Sequence, residues 1–398
     1  MYMPGLDSAS LGAGVHQDFA EGVRALGHEF RILTTTASGS PGSAPVGDAL
    51  PLSPVWRAVD AAAAPWLRTR HLVSAAAALA RHLKTQGSAC DLLHAEVAYP
   101  FGAATALGAA AAGWKGPIAI TPMGEDTLVL PEAGYGFRRY WLPRRAVAWA
   151  LSRASALRCI SPLHEKVIAE IAPATPRRMI PLNVSGAVVA ASSETADVRA
   201  ARRRTARQAL ENELQVGRRP VILSLGRLHP FKGIDVLIEA MRQVPDGVLL
   251  IAGPSLAVRP SGDETTRLVQ LVDRWALHDR VRFLGPVSGE RALQLIAASD
   301  VVAVPSRLES LNKVCVEAVA VGTSFVVTET TGIAHWARAA NIGVVVRPND
   351  AEELAQAITA ALEKPIDASR IAPFVQQFSP AAVAGAVIEF YRDAIGVH

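Results

Sequence analysis

Two glutamates in the segment "ESLNKVCVEAVAVG", Glu309 and Glu317, have seven residues between them. Glu309 follows an apolar run that is typical of a buried strand, and Glu317 lies in a short helical pattern that Gly322 ends. The neighbours of Glu317 are almost all apolar, and a buried carboxylate without a partner is costly. This pattern favours two carboxylates that face one ligand from different depths over surface charges on an ordinary helix.

The start of this helix predicts an anion site. Ser310 or Asn312 can cap a helix that runs from about Lys313 to Val321. Free backbone amides at its first turn attract anions, and Lys313 adds positive charge there. A carboxylate within one turn of bound phosphates, as Glu317 would be, is well placed to accept hydrogen bonds from ribose hydroxyls.

A second segment, "GRLHPFKG" (226–233), carries two cations between a predicted strand and an amphipathic helix. Its glycines permit a close approach of the backbone. Arg227 and Lys232 suit a diphosphate, because both present fixed positive charge to phosphate oxygens. A solvated loop with two ordinary basic residues explains this segment alone equally well.

Parallel α/β architecture must position these residues, since short apolar runs alternate with helical patterns along the chain. Ligands of such sheets bind beyond the carboxyl ends of the strands, where both segments lie. Strands are predicted at 30–35, 91–96, 117–122, 156–161, 220–226, 247–253, 280–285, 301–306, 324–329 and 343–348. Helices are predicted at about 15–26, 66–86, 137–153 and from Ser379-Pro380 onward. The boundary region, 184–218, is predicted to be an exposed connector followed by a basic helix.

Composition narrows the class of protein. The chain has 398 residues, a net charge of +4 and three cysteines that are far apart in sequence. A disulfide framework or zinc site is therefore not expected. No apolar run reaches the ~18 residues that would span a bilayer, and no signal peptide is recognised. These features predict a soluble, cytoplasmic protein.

The two segments together resemble the GT-B glycosyltransferases of family 4, which carry a G-R-L-x-x-x-K-G loop and an E-x7-E motif followed by A-x-x-x-G. Other segments fall in the family's order, so the resemblance covers nearly the whole chain; they are "LGHEFRILTT" (26–35), "DLLHAE" (91–96), "VLLIAGPS" (248–255), "VRFLGPV" (281–287) and "TTGIAHW" (330–336). The resemblance implies two Rossmann-like domains that face each other across a cleft. The acceptor-binding domain would comprise residues 1–185 and the donor-binding domain residues 186–378. Residues 379–398 would form a C-terminal helix that returns to the first domain.

The resemblance also implies an activity: transfer of a sugar, with retention, from a UDP- or GDP-linked donor to a hydroxyl of a glycan, lipid or small natural product. No metal and no further cofactor is implied. Arg227 and Lys232 would hold the diphosphate, Glu317 the ribose and Glu309 the transferred sugar, and these roles make Glu309, Arg227 and Lys232 the catalytic set. Glu309 is not interpreted as half of a hydrolase carboxylate pair. The implied donor-binding set is Gly226, Arg227, Lys232, Gly253, Val287, Glu309, Ser310, Leu311, Asn312, Lys313, Val314 and Glu317.

The acceptor side departs from the family pattern. Its implied residues are Gly12, Gly14, His16, His94, Met123, Glu125 and Asp126. The glycine loop has no third glycine and follows only "MYMP" instead of a full strand, which indicates a shortened N-terminus. Many members have a histidine where this chain has Met123, so that role is absent or is taken by Glu125, Asp126 or His94. The two acids could instead cap a helix, and His16 could simply belong to a first helical turn.

One helix and three other classes of protein leave alternatives open. The stretch "FRRYWLPRRAVAWALSR" mixes arginines with aromatic residues, so it fits either peripheral contact with an anionic membrane or a solvated helix. A sugar-nucleotide epimerase or disaccharide synthase on the same fold, and a non-catalytic sugar-nucleotide binding protein, remain alternatives. A nicotinamide dehydrogenase is disfavoured, since no strand–GxGxxG–helix unit is evident. The run "RRR" (202–204) has no aromatic platform, which argues against nucleic-acid binding.

Overall fold

The chain forms two compact units. The computed structural model describes residues 2–3, 13–35, 48–86, 90–244, 246–255, 257–258 and 262–396. The first unit comprises Met1–Pro131, Tyr135–Asn183 and Pro380–His398, and the second comprises Glu132–Gly134 and Val184–Ser379.

The first unit is built on a parallel sheet. Its described strands are β1 (Tyr2–Met3), β2 (Leu33–Thr34), β3 (Asp48–Ala49), β4 (Leu93–Glu96), β5 (Ile118–Thr121), β6 (Ala156–Cys159) and β7 (Arg177–Met179). They pair in the order β3-β2-β1-β4-β5-β6-β7, and every pair is parallel. Its helices up to β7 are α1 (Ala13–Ala25), α2 (Pro54–Leu67), α3 (Leu72–Gln86), α4 (Ala103–Ala112), α5 (Trp141–Arg153) and α6 (Pro162–Ile171).

The apolar runs at 30–35, 91–96, 117–122 and 156–161 all contain strands, which confirms those predictions. The helix predicted for 66–86 is confirmed over 72–86, where it is α3. Its predicted start is wrong, because residues 66–67 end α2 and Arg68 then adopts a left-handed φ of 56° that turns the chain. The buried carboxylate of Asp60 then accepts hydrogen bonds from the backbone N–H groups of Val73 and Ser74, both at 2.8 Å, and fixes the start of α3.

The second unit begins with helices where the sequence predicted a connector. A short helix, α7 (Gly186–Ser192), precedes α8 (Ala196–Leu214), and Val188 and Ala191 of α7 are buried. The prediction of an exposed connector is therefore wrong, whereas the basic helix is confirmed. Arg203 of α8 donates to the carbonyl of Ser299 at 2.9 Å, so part of the "RRR" run is used in packing.

The sheet of the second unit is also parallel. Its strands are β8 (Val221–Leu225), β9 (Val248–Ala252), β12 (Val281–Gly285), β13 (Val301–Val304), β14 (Ser324–Thr328) and β15 (Val344–Val346), with the small hairpin β10 (Ala257–Val258) and β11 (Gly262–Asp263) beside them. The order is β12-β9-β8-β13-β14-β15. The strands β8, β9, β13 and β14 are almost entirely buried, as expected for a sheet covered on both faces. The remaining helices are α9 (Ile234–Ala240), α10 (Glu264–Arg274), α11 (Gly289–Ala298), α12 (Val314–Ala320), α13 (Ala334–Ala340), α14 (Ala351–Glu363) and α15 (Ala368–Gln376).

The last helix, α16 (Pro380–Ile395), belongs to the first unit, where it packs on α1. Val383 and Val387 of α16 share a buried cluster with Phe19 and Val23 of α1. The helical stretch 368–395 is long and apolar enough to span a membrane by length and composition, but half of its apolar window is buried inside the protein, a property of core helices as well. Two parallel Rossmann-like units confirm the predicted fold class.

Candidate functional site

Three strand ends of the second unit approach one another through glycines. Gly253, after β9, has a φ of 143°, and a Cβ atom there would lie 1.9 Å from the carbonyl oxygen of Gly226. Gly233 has a φ of 66°, and a Cβ atom there would lie 2.1 Å from the carbonyl oxygen of Pro305. A side chain at either position would push the loops apart. These glycines therefore let the loops after β8, β9 and β13 form one edge of a site.

Phe231 supports both predicted cations. Phe231 is 2% exposed and lies in the turn 230–232, two residues before Gly233. The guanidinium carbon of Arg227 is 5.8 Å from the ring centre, and Nζ of Lys232 is 5.2 Å from it. Attraction between each cation and the electron-rich ring face holds the two positive charges near one another.

Lys232 and Glu309 form an ion pair, although they are 77 residues apart in the chain. Their side chains are only 15% and 17% exposed, so solvent screens the pair weakly. The hydroxyl of Ser306 donates to the same oxygen of Glu309 at 3.3 Å. An anion that binds Lys232 would compete directly with the Glu309 carboxylate.

The backbone around Glu309 is held in an extended conformation. The N–H of Glu309 donates to the carbonyl of Thr330 at 3.1 Å, and the N–H of Gly332 donates to the carbonyl of Glu309 at 2.9 Å. The N–H of Ile333 donates to the carbonyl of Leu311 at 2.9 Å. The segment "TTGIAHW" therefore pairs with the "ESL" segment, which fixes the direction of the Glu309 side chain.

Glu317 lies in the first turn of α12 and is partly buried. This burial raises the pKa of its carboxyl above the ordinary value, while Lys313 opposes the shift. Cys315, two residues before it, is fully buried, and burial together with the charges of Glu309 and Glu317 holds the pKa of this thiol well above its usual range. The thiol of Cys315 therefore stays neutral, and the negative charge of this segment is carried by Glu309 and Glu317.

The helix α12 has almost the predicted range, but its N-terminal cap differs from the prediction. The helix α12 begins at Val314 after Lys313, and neither Ser310 nor Asn312 caps it with a side chain. Asn312 instead adopts a left-handed φ of 78°, which asparagine tolerates better than most residues. Its Oδ1 is buried and has no hydrogen-bond partner among the residues that the structure describes. The sequence predicted that this oxygen could cap α12, but in the structure it is a buried acceptor that is available to a ligand.

A small pocket lies between these loops. It brings Gly226, Arg227, Lys232 and Asn312 of the predicted donor set together with Ser306. Its full lining is Ser224, Leu225, Gly226, Arg227, Lys232, Ile234, Ala303, Val304, Pro305, Ser306 and Asn312. Two cations and several polar atoms thus meet beyond the carboxyl ends of parallel strands, where α/β sheets bind ligands.

A clamp that sequence reasoning missed holds the two loops together. Arg307 donates two hydrogen bonds to the carboxylate of Asp235, at 2.9 and 2.8 Å, and its backbone N–H donates to the carbonyl of Phe231 at 2.8 Å. Burial alone would raise the pKa of Asp235, but Arg307 and then Arg267 hold it below its usual value. This bidentate pair sets the spacing between the Lys232 loop and the Glu309 loop.

The other predicted donor residues follow strand ends of the same sheet or flank Asn312. The N–H of Gly253 donates to the carbonyl of Gly285 at 2.8 Å, and Val287 follows that strand end. Leu311 is buried, whereas Ser310, Lys313 and Val314 are partly exposed. Their roles toward a donor remain predictions.

His94, predicted on the acceptor side, is a buried residue of the first unit. One ring nitrogen contacts the hydroxyl of Tyr391 at 2.5 Å, and the other contacts the hydroxyl of Thr121 at 2.7 Å. Burial, followed by the positive charge of Arg158, holds the pKa of His94 well below its usual range. The neutral ring therefore ties α16 to the sheet with both nitrogens, and this use argues against contact with an acceptor.

The loop after β5 contains the predicted acids. Asp126 is buried and accepts hydrogen bonds from the backbone N–H groups of Ala98, Met123 and Gly124. Its carboxylate therefore organises the loop. Residues 124–127 form a turn and not the start of a helix, so Asp126 fits neither the helix-capping alternative nor contact with an acceptor. Glu125 is exposed and Met123 is partly exposed, so both remain acceptor-side predictions.

The remaining acceptor-side predictions concern the glycine loop. Gly12 lies outside the described residues, and Gly14 and His16 belong to the backbone of α1. The described part of the chain holds no group of three His, Cys, Asp or Glu residues that could bind a metal ion. Independence of a metal stays a prediction.

Comparison with known proteins points to one family over most of the chain. The family described as "Glycosyl transferases group 1" matches residues 206–378, and the "Glycosyl transferase 4-like domain" matches residues 12–183. A D-inositol 3-phosphate glycosyltransferase of Mycolicibacterium smegmatis is 34% identical over 180 residues, which are 44% of this chain and 40% of that protein. A protein of the same name from Mycobacteroides abscessus is 36% identical over 179 residues, with the same two shares. The matched region thus spans well under half the length of these curated relatives.

Solved structures show the same fold. Sucrose-phosphate synthase from Thermosynechococcus elongatus superimposes with a TM-score of 0.70 at 22% identity, over 96% of this chain and 93% of that one. Anabaena HepE in complex with UDP-glucose gives a TM-score of 0.73 at 18% identity, over 98% and 99% of the two chains. With the two family matches and the motifs at 226–233 and 309–322, these likenesses place the chain in the GT-B glycosyltransferases of family 4.

Proposed function

We propose that this protein is a retaining glycosyltransferase that moves a hexosyl group from a UDP-linked sugar to a hydroxyl group of its acceptor. The observation that carries the proposal is that Arg227 and Lys232 meet over the Phe231 ring of the second unit while Glu309 pairs with Lys232. Two cations can bind a diphosphate, and a neighbouring carboxylate can accept hydrogen bonds from sugar hydroxyls. Together, at the ends of parallel strands, they match the chemistry of a diphosphate-linked sugar.

The ion pair of Lys232 and Glu309 suggests how the donor is received. In the proposal, phosphate oxygens take the place of the carboxylate at Nζ of Lys232. Glu309 is then released to accept hydrogen bonds from the hydroxyls of the sugar. Glu317, one turn into α12, accepts hydrogen bonds from the ribose, and the unpaired Oδ1 of Asn312 accepts a further hydrogen bond from the donor.

The proposed reaction needs no protein nucleophile. The acceptor oxygen forms a bond to the anomeric carbon on the face from which the phosphate departs. The bond from that carbon to the phosphate oxygen breaks with its electron pair, and this oxygen takes the acceptor's proton. Arg227 and Lys232 stabilise the negative charge that develops on the leaving diphosphate.

The nature of donor and acceptor rests on similarity. Anabaena HepE has been solved with UDP and with UDP-glucose, which favours uridine over guanosine for the donor. The curated relatives are named for D-inositol 3-phosphate, which makes this cyclitol phosphate the first acceptor to assay. Lipid, glycan and small natural-product hydroxyls complete the acceptor panel. We place the reaction in the cytoplasm, without metal and without a cofactor beyond the donor.

A donor panel tests the proposal. UDP and GDP are compared first by thermal shift, and UDP-sugars are then incubated with each acceptor in buffer with and without a chelator. Turnover of a UDP-sugar to a product that keeps the anomeric configuration, read by proton NMR, is the expected result. An inverted product, or free sugar as the sole product with every acceptor, would contradict the proposal.

A further inference from the structure

The helix α2 exposes its apolar residues and buries its acid. Trp66 is 69% exposed and Val55 is 67% exposed, and Trp56 and Val59 are exposed as well. Asp60, in contrast, is fully buried and accepts the backbone hydrogen bonds at the start of α3. A surface helix normally shows the opposite arrangement, with its apolar stripe on the core.

Four of the exposed apolar residues of α2 share one side of the helix. Val55, Val59, Ala62 and Trp66 follow one another at intervals of four, three and four residues, which is the spacing of a single helical face. All four are exposed. A stripe with this spacing would normally pack against another element, and none of the described residues covers it.

The helix α5 presents a second stripe with aromatic and basic members. Trp141, Arg145 and Trp149 recur at intervals of four and are exposed, Trp141 by 68%. The guanidinium carbon of Arg145 lies 5.0 Å from the centre of the Trp141 ring. The core face of the helix is formed by other residues, namely Pro143, Val147, Ala150 and Leu151.

The two stripes adjoin. Arg68, directly after α2, places its guanidinium carbon 4.4 Å from the ring centre of Tyr140, which directly precedes α5. Trp66 and Trp141 therefore lie at neighbouring helix ends. We call this surface the tryptophan face, and its members are Val55, Trp56, Val59, Trp66, Trp141 and Trp149.

Positive charge surrounds the tryptophan face. The ranges 54–71 and 137–153 contain a single acidic residue, the buried and fully bonded Asp60. The exposed arginines in these ranges are Arg57, Arg68, Arg70, Arg139, Arg144, Arg145 and Arg153. Exposed indoles beside exposed arginines match a bilayer interface, because tryptophan prefers the headgroup level and arginine binds anionic headgroups.

We propose that the tryptophan face docks this protein onto a membrane surface that contains anionic lipid. A peripheral protein held in this way inserts its indole rings among the headgroups while its arginines pair with lipid phosphates. The docking is independent of the donor site in the second unit and adds a membrane location to the proposed transferase.

Co-sedimentation with vesicles tests the proposal on the full-length chain. The protein is expected to bind vesicles of phosphatidylcholine with phosphatidylglycerol, to bind pure phosphatidylcholine far more weakly, and to be released by salt. Replacing both Trp66 and Trp141 by alanine is expected to weaken binding by about ten-fold or more, since each indole loses its interfacial contact. Replacing Arg144 and Arg145 by glutamine is expected to reduce binding and its salt dependence.

Controls separate docking from folding and from self-association. Leu107→Ala removes another exposed apolar residue of the first unit and should leave vesicle binding unchanged. Unaltered thermal melting and UDP affinity in every variant show that fold and donor site are intact. Failure to bind anionic vesicles, equal binding to neutral vesicles, or a dimer in sedimentation velocity that the tryptophan variant dissociates would overturn the proposal.

Discussion

Replacing Glu317 by glutamine should make the protein more stable and a weaker binder of UDP. Burial raises the pKa of the Glu317 carboxyl, so the folded state disfavours its ionised form. This penalty is absent below the ordinary carboxyl pKa of 4.5 and is complete above the raised value in the folded protein. The stabilising effect of Glu317→Gln is therefore expected at pH 8 and should vanish near pH 4.

The expected changes in stability and in UDP affinity can be given as approximate numbers. A single stabilising substitution, such as removal of a buried charge at a functional site, typically adds about 1 kcal/mol. For a unit of this size, that corresponds to a rise in Tm of about 2–4 °C. A neutral amide accepts a hydrogen bond from a ribose hydroxyl less strongly than a carboxylate does, by about 1 kcal/mol per bond. Because two bonds are weakened, the UDP affinity should fall about 30-fold.

The assay combines thermal unfolding at two pH values with calorimetric titration of UDP. Glu363→Gln is the matched control, because Glu363 is an exposed glutamate at the end of α14 in the same unit. It should change neither Tm nor UDP affinity appreciably. A lower Tm for Glu317→Gln at pH 8, together with unchanged affinity for UDP, would show that Glu317 is a structural helix residue and would refute the ribose role.

Three further variants test the framework of the site. Asp235→Asn breaks the bidentate pair with Arg307 and should lower the free energy of unfolding by about 2 kcal/mol at pH 7, less than for a fully buried pair. Because the pKa of Asp235 is lowered by folding, this loss should shrink below the ordinary pKa of 3.8, and a loss that persists at low pH would contradict the reasoning. Gly253→Ala would place a methyl group 1.9 Å from the Gly226 carbonyl oxygen, so urea denaturation should show a loss of about 3 kcal/mol, and wild-type stability would refute the close approach. Phe231→Leu keeps an apolar side chain but removes the ring beneath the cations, and UDP titration should show an affinity about five-fold lower, whereas unchanged affinity would exclude a role for the ring.

The sheets could be predicted because strands buried on both faces are continuous apolar runs. Each of the ten predicted strands contains an observed one. The short strands β3 and β7 escaped, since two or three residues with exposed or half-buried side chains leave no apolar signal. The helix α2 escaped except for its last two residues, because a segment that is apolar or alanine at most positions and contains two prolines lacks the polar face by which a surface helix is recognised.

The candidate site was predictable where its residues are close in sequence. Arg227 with Lys232, and Glu309 with Glu317, sit in two short motifs at strand ends. The partners that hold them are distant: Asp235 and Arg307 are 72 residues apart, and His94 meets Tyr391 across 297 residues. Only tertiary packing shows that the His94 ring and the Asp126 carboxylate are occupied by structural hydrogen bonds.

The central claim is that Lys232 holds the diphosphate while Glu309 contacts the sugar, and calorimetric titration of UDP and a UDP-sugar into two variants tests it most directly. Lys232→Met should weaken both ligands by about 10- to 100-fold, because a charge-assisted hydrogen bond is lost. Glu309→Gln should bind UDP as well as or better than the wild type, since Lys232 no longer has a competing carboxylate, but should lose any added affinity that the sugar provides. Unchanged UDP binding by Lys232→Met, or a loss of UDP binding in Glu309→Gln, would contradict the account.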